Sequence, residues 1–125
     1  MPKKLLIIDD EEYIRLPIQD YFEDCGWDVD SFSSAEEALE YLGAGTADCV
    51  IVDMRLSGMS GLSFIERANE IRPGLRYIIY TGSVEFSITE NLRMAGVSEE
   101  YIINKPVDNL NVLLCAAEGN PVKGK

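Results

Sequence analysis

Apolar and polar positions follow two rhythms along this chain. Short unbroken apolar runs occur at Leu5-Leu6-Ile7-Ile8, Cys49-Val50-Ile51-Val52, Tyr77-Ile78-Ile79-Tyr80 and Tyr101-Ile102-Ile103. Runs of this length without polar interruption suit strands buried on both faces, as in a parallel sheet. Residues 27–32 instead alternate, with Trp27, Val29 and Phe32 set against Asp28 and Asp30, which predicts an edge-like strand. Between these runs the apolar residues recur at helical spacing: Tyr13, Ile14, Pro17, Ile18, Tyr21 and Phe22; then Ala35, Ala38, Leu39 and Leu42; then Leu62, Ile65, Ala68, Asn69 and Ile71; then, more weakly, residues 86–95; finally Leu110, Val112, Leu113, Leu114 and Ala117.

The punctuation agrees with this reading. The first helix is expected from about Glu12, bent or loosened in its early turns by Pro17, which lacks a backbone N–H and crowds the preceding turn. Gly26 should end it. Ser33 or Ser34 should cap the second helix, with Glu36 and Glu37 favoured in its first turn by the helix dipole. Gly43-Ala44-Gly45 closes that helix, and Pro73-Gly74 stops the third. Strand and helix thus alternate five times, which implies right-handed βαβ units and one parallel sheet covered on both faces. No internal repeat is present. The expected domain spans residues 1–118, with 119–125 as a tail or the start of a linker.

Composition narrows the function more than the fold. The 125 residues are 46% hydrophobic and 26% charged, in the usual range for one globular domain. Asp and Glu number 22 against 11 Lys and Arg, a net charge of -11. That argues against a nucleic-acid surface, which needs basic charge, and suits cations or partners with basic faces. The chain contains no His, which removes His-based acid–base catalysis and His metal ligands. Cys25, Cys49 and Cys115 lack metal-like spacing and read as reduced thiols, at least two of them buried, in a cytoplasmic protein. Neither a signal peptide nor an apolar run of membrane-spanning length is evident.

The chemistry gathers where strands end. Asp9-Asp10 follows the first, Asp53 the third, Thr81-Gly82-Ser83 the fourth and Lys105-Pro106 the fifth. In a parallel sheet these ends share one edge, and ligands bind there. Three carboxylates close together cannot all stay ionised cheaply without a cation. Oxygen ligands suit Mg²⁺, which takes one or two carboxylates and phosphate oxygens. A carboxylate can also attack phosphorus to give an aspartyl-phosphate, with Lys105 and Thr81 available to stabilise the phosphoryl charge.

These residues, in this order on this alternation, resemble a receiver domain of the two-component response-regulator family. The resemblance rests on Asp9-Asp10-Glu11, on Val52-Asp53-Met54 with Gly58 and Gly61, on Thr81-Gly82 and on Lys105-Pro106, and covers nearly the whole chain. It implies a flavodoxin-like (βα)5 three-layer sandwich, CheY-like, with strand order 2-1-3-4-5. It also implies Asp53 as phosphoacceptor and Mg²⁺ as cofactor, held by Asp10, by Asp9 mainly through water, by Asp53 and by the carbonyl of Arg55. Thr81 would be the switch hydroxyl and Lys105 its partner on the phosphoryl group, with a cis peptide before Pro106. Arg55 and Ser83 would tune dephosphorylation.

The implied donor is a histidine kinase or phosphotransfer protein. The output would pass through the surface of the fourth helix, fifth strand and fifth helix to a downstream protein or fused effector domain, with homodimerisation through that surface a further possibility. Neither direct nucleic-acid binding nor membrane association is expected of the domain.

Two departures from the family pattern stand out. Ser57 occupies a position where Pro is common. The family's switch aromatic usually lies three residues before the lysine, where Ile102 stands; Tyr101, one residue earlier, is the candidate, provided a β-bulge turns it to the right face.

Each residue has a plainer reading when taken alone. Asp9 and Asp10 suit a helix N-terminus, Asp53 a turn, Thr81 a strand or cap, and Lys105 a solvated charge. Two other functions compete. One is a small phosphohydrolase with Asp53 as nucleophile, disfavoured because Arg55 stands where such enzymes place a second acid. The other is a degenerate receiver that serves only as an interaction module, disfavoured by the intact acidic cluster.

Overall fold

The computed structural model describes residues 3–82, 93–94 and 96–121. Five strands, β1 (Lys4–Ile8), β2 (Asp28–Phe32), β3 (Cys49–Val52), β4 (Arg76–Thr81) and β5 (Ile102–Asn104), form one sheet in the order β2-β1-β3-β4-β5. Every neighbouring pair is parallel. The helices are α1 (Glu12–Asp24), α2 (Ala35–Ala44), α3 (Gly61–Ile71) and α4 (Asn111–Ala117). The last of these is the fifth helix expected from sequence. The fourth expected helix, near residues 86–95, lies outside the described residues apart from Arg93 and Met94, and so does Ser83.

Alternation along the strands sends side chains to two faces, and each face has its own core. On one, Leu6, Ile8, Val50, Val52 and Ile79 meet Ala35, Ala38 and Leu42 of α2 and Phe64, Ile65 and Ala68 of α3. On the other, Leu5, Ile7, Ile51 and Ile78 meet Ile18 and Phe22 of α1 and Leu113, Ala116 and Ala117 of α4. The result is three layers with the sheet in the middle. Each large side chain fully removed from water, Phe22 and Phe64 among them, contributes about 1.5–3 kcal/mol.

α1 runs unbroken through Pro17. The carbonyl that Pro17 leaves without a helical donor belongs to Tyr13, a residue 73% exposed, so the lost bond falls on the solvent side. Tyr13 and Pro17 therefore lie outside the buried stripe to which their spacing assigned them, and Ile18 and Phe22 carry it. At the other end, Gly26 adopts φ +94°, its N–H donates to the Glu23 carbonyl, and the Trp27 N–H donates to the Phe22 carbonyl. The Trp27 ring packs edge-on against Phe22 at 5.4 Å. Both hydrogen bonds and the apolar contact of a Schellman cap are thus present, and they deliver the chain into β2. Ser34, rather than Ser33, caps α2 by accepting the Glu37 N–H.

The expected pair of buried thiols is corrected: Cys49 alone is buried, inside β3, while Cys115 is half-buried on α4 and Cys25 is exposed beyond α1. Burial among apolar neighbours pushes the Cys49 thiol up to about 12. None of the described helices is long and apolar enough to cross a membrane.

Candidate functional site

The parallel sheet brings the ends of β1, β3, β4 and β5 to one edge, and the acidic residues meet there. Carboxylate oxygens of Asp9, Asp10 and Asp53 lie within 4.8 Å of one another. Asp9 and Asp53 are buried and Asp10 is exposed. Each buried acid is fixed by its own backbone turn. The Glu11 N–H donates to Asp9 Oδ1 at 2.9 Å, and the Arg55 N–H donates to Asp53 Oδ1 at 3.1 Å. The Asp53 N–H in turn donates to the Ile8 carbonyl, which extends the pairing of β1 and β3 by one residue.

Lys105 bridges the two buried acids. Its Nζ donates to Asp9 Oδ2 at 2.7 Å and to Asp53 Oδ2 at 2.8 Å, with Glu11 at 3.6 Å. Burial opposes the ammonium charge, yet the hydrogen bonds to Asp53 and Asp9 prevail and raise its pKa. Asp9 shifts upward too, because burial of its carboxylate outweighs the help of Lys105 and the Glu11 N–H. One ammonium therefore leaves Asp9 under-compensated. An all-oxygen set of three carboxylates, one of them held against its preference for neutrality, fits a hard divalent cation.

The loop behind Asp53 has little latitude. A Cβ at Gly61 would come 2.3 Å from the Asp53 carbonyl oxygen and 2.8 Å from the Met54 Cα, so only glycine allows α3 to begin where it does. Gly58, with φ +80°, turns the loop ahead of it. Both are among the residues that carry the resemblance in the sequence. Two residues that had no role in the site on sequence grounds also touch it. Ser57 Oγ donates to Asp10 Oδ2 at 3.2 Å. Tyr80 Oη accepts the Val107 N–H at 3.1 Å, and its ring lies 5.8 Å from Lys105 Nζ, tying the chain beyond Lys105 to the end of β4. An apolar strand and a serine in a loop gave no warning of either contact.

Thr81 is fully buried at the end of β4, and its carbonyl accepts the Lys105 N–H. The Lys105–Pro106 peptide is cis. The expectation for Tyr101 is corrected. β4 and β5 pair without a bulge, Ile79 opposite Ile102 and Thr81 opposite Asn104. Ile102 shares the Thr81 face, together with Tyr77 and Ile79, whereas Tyr101 packs with Ile103 on the α1 and α4 side. The chain reaches β5 through a 3₁₀ turn at Glu99–Tyr101, so Tyr101 precedes the strand and no extra residue is left to shift the phase.

Comparison with known proteins bears on the family and the fold. The family model of the response regulator receiver domain matches residues 5–117. Sporulation initiation phosphotransferase F of Bacillus subtilis is 28% identical over 108 residues, 86% of each chain. The C4-dicarboxylate transport transcriptional regulatory protein DctD of Rhizobium meliloti is 40% identical over 78 residues, 62% of this chain and 17% of that one. Among solved structures, a CheY-like response regulator receiver domain protein from Methanospirillum hungatei is 29% identical with a TM-score of 0.83, covering 95% of this chain and 93% of that one. A Burkholderia pseudomallei response regulator, solved with a phosphorylated aspartic acid, a calcium ion and citrate, is 28% identical with a TM-score of 0.80, covering 92% of this chain and 66% of that one. By its sequence, its strand order and the match across 5–117, the chain belongs to the response regulator receiver domain family.

Proposed function

We propose that the chain accepts a phosphoryl group on Asp53 from a histidine kinase or phosphotransfer protein. The observation that carries this reading is Lys105 held 2.8 Å from Asp53 Oδ2 and 2.7 Å from Asp9 Oδ2, with Asp10 beside them, at the ligand-binding edge of the sheet. The phosphorylated aspartic acid and bound divalent cation of the Burkholderia pseudomallei neighbour support it.

Receiver domains generally bind Mg²⁺ at an acidic pocket, and Asp9, Asp10 and Asp53, with the carbonyl of Arg55, would hold it here. When bound, Mg²⁺ supplies positive charge opposite the phosphoryl oxygens. A carboxylate oxygen of Asp53 attacks phosphorus, and the P–N bond to the donor imidazole breaks with its electron pair leaving on nitrogen. Lys105 shifts its pairing from the Asp53 carboxylate to a phosphoryl oxygen, and the Thr81 hydroxyl donates to another. Water later attacks phosphorus, the P–O bond to Asp53 breaks, and the carboxylate is restored. The chain is thus a self-resetting acceptor rather than an enzyme with a separate substrate, and the side chains of Arg55 and Ser83 set the reset rate.

The change at Thr81 and Lys105 passes to β5, α4 and the segment between β4 and β5. Because Ile102 holds the position of the switch aromatic, the element that repacks beside Thr81 is aliphatic. That surface would meet a downstream protein, a fused effector domain or a second copy of the chain, in the cytoplasm, with no direct contact with nucleic acid or membrane. Arg55, in the place of a second acid, weighs against a phosphohydrolase, and the complete carboxylate cluster weighs against a phosphorylation-independent module.

Intact mass after incubation with Mg²⁺ and acetyl phosphate tests the proposal. Wild type should gain one phosphoryl group and lose it slowly, and Asp53→Asn should gain none. An adduct of equal size on Asp53→Asn would overturn the assignment.

A further inference from the structure

Asp10 is the odd member of the carboxylate cluster. Lys105 pairs with Asp9, Asp53 and Glu11, but Asp10 is not among its partners. Asp10 is also the exposed member. An exposed carboxylate on a free side chain samples several rotamers and gives up that freedom when it takes a ligand. In this structure one oxygen is already engaged, because the Ser57 hydroxyl donates to Asp10 Oδ2 at 3.2 Å.

The loop that carries Ser57 is held from two further directions. The Met59 N–H donates to Glu36 Oε2 of α2 at 3.3 Å. The Gly61 N–H donates to the Met54 carbonyl at 3.2 Å, closing the loop onto the backbone just beyond Asp53. Ser57 therefore projects from a segment tied to α2 on one side and to the end of β3 on the other.

We propose that Ser57 is a positioning residue for the cation site, holding Asp10 turned toward Asp9 and Asp53. The proposal rests on the reading of Asp9, Asp10 and Asp53 as a Mg²⁺ site. A carboxylate has about four lone-pair positions, so the Ser57 bond leaves Asp10 Oδ1 and the second lone pair of Oδ2 for a cation. Partners that hold a liganding carboxylate in place are part of a metal site's affinity, and their loss weakens binding. Here the bond lies at the surface, so the expected loss is smaller than in a buried site, about three- to tenfold. Ser57 acts only through Asp10 and touches no reacting atom.

Titration calorimetry with MgCl₂ on the metal-free chain tests this in wild type, Ser57→Ala, Ser57→Thr and Ser57→Val. Ser57→Ala should raise the Mg²⁺ Kd about three- to tenfold, with its urea midpoint in EDTA unchanged. Thr and Val have similar shape and differ by the hydroxyl, so they guard against a general disturbance of the loop. Ser57→Thr should bind close to wild type, and Ser57→Val should bind like Ser57→Ala. A Kd for Ser57→Ala within twofold of wild type, or equal Kd values for Thr and Val, would overturn the role of Ser57 while leaving the cation site in place. Wild type that takes up no Mg²⁺ at millimolar concentration would overturn both.

Discussion

Two lysines in this chain each face two aspartates, and the contrast between them separates scaffold from site. At the N-terminal edge of the sheet, Lys4 Nζ lies 2.6 Å from Asp30 and 3.5 Å from Asp28, whose side chains are 48% and 62% exposed. At the C-terminal edge, Lys105 Nζ lies 2.7 Å from Asp9 and 2.8 Å from Asp53, whose side chains are 4% and 7% exposed. The aspartate pairs are alike in kind, one contact at Lys4 is longer, Lys105 has Glu11 as a further partner, and the surroundings differ most. Water screens the first set, so its charges cost little to keep and contribute little by pairing. The second set has been taken out of water, where each charge depends on its partner. Asp10, and the raised pKa of Asp9, leave that second set short of positive charge. The fold thus concentrates negative charge at one edge of the sheet.

Removing each lysine is the sharpest way to break this contrast. Lys105→Ala leaves Asp9 and Asp53 buried without their ammonium and should destabilise the metal-free protein by about 3 kcal/mol, read from urea unfolding in EDTA. A loss as small as that of an exposed pair would mean that water reaches both carboxylates, and the contrast would fail.

A subtler effect concerns Asp9 alone. Its pKa is raised chiefly by burial, so in the folded state its charge is a cost at neutral pH. Metal-free Asp9→Asn should be at least as stable as wild type at pH 7. The folded state binds the Asp9 proton more tightly than the unfolded chain does, so wild type gains relative to the variant as pH falls through the raised pKa, and the gap closes. Urea midpoints of both proteins at several pH values in EDTA measure this; a gap that widens toward acid would reverse the sign.

The smallest effect belongs to the opposite edge. Lys4→Met keeps the aliphatic packing and removes only the charge, and should cost about 1 kcal/mol or less, diminishing further in 1 M NaCl. A larger cost, insensitive to salt, would show that the two edges are electrostatically alike.

The same division explains what could be read from the sequence. Strands β1, β3 and β4 are apolar on both faces, so their runs announce them without neighbours to consult. The acids and Lys105 were legible because they directly follow those runs, and a parallel sheet must bring such positions together. What depended on phase or distance was not legible. Tyr101 and Ile102 differ by one residue, and the 3₁₀ turn that sets where β5 begins has no apolar rhythm of its own. Ser57 and Asp10 are 47 positions apart, and their contact exists only because β1 and β3 are neighbours. Tyr13 has the spacing of a core residue but is exposed in the first turn of α1, where Glu11 accepts its hydroxyl.

The placement of Ile102 also decides where an observer should look. The chain has one tryptophan, Trp27, which packs against Phe22 before the first residue of β2. Five residues of β2, roughly 16 Å of extended chain, run from there to the edge that holds Asp53. Tryptophan emission therefore reports on the closing turn of α1 and is nearly blind to the acidic edge. On the Thr81 face of β4 and β5 the described apolar neighbours nearest to it are aliphatic, Ile79 and Ile102, with Asn104 directly opposite. Events there are recorded in isoleucine methyl resonances, so nuclear spins rather than emitted light are the natural witnesses of this site.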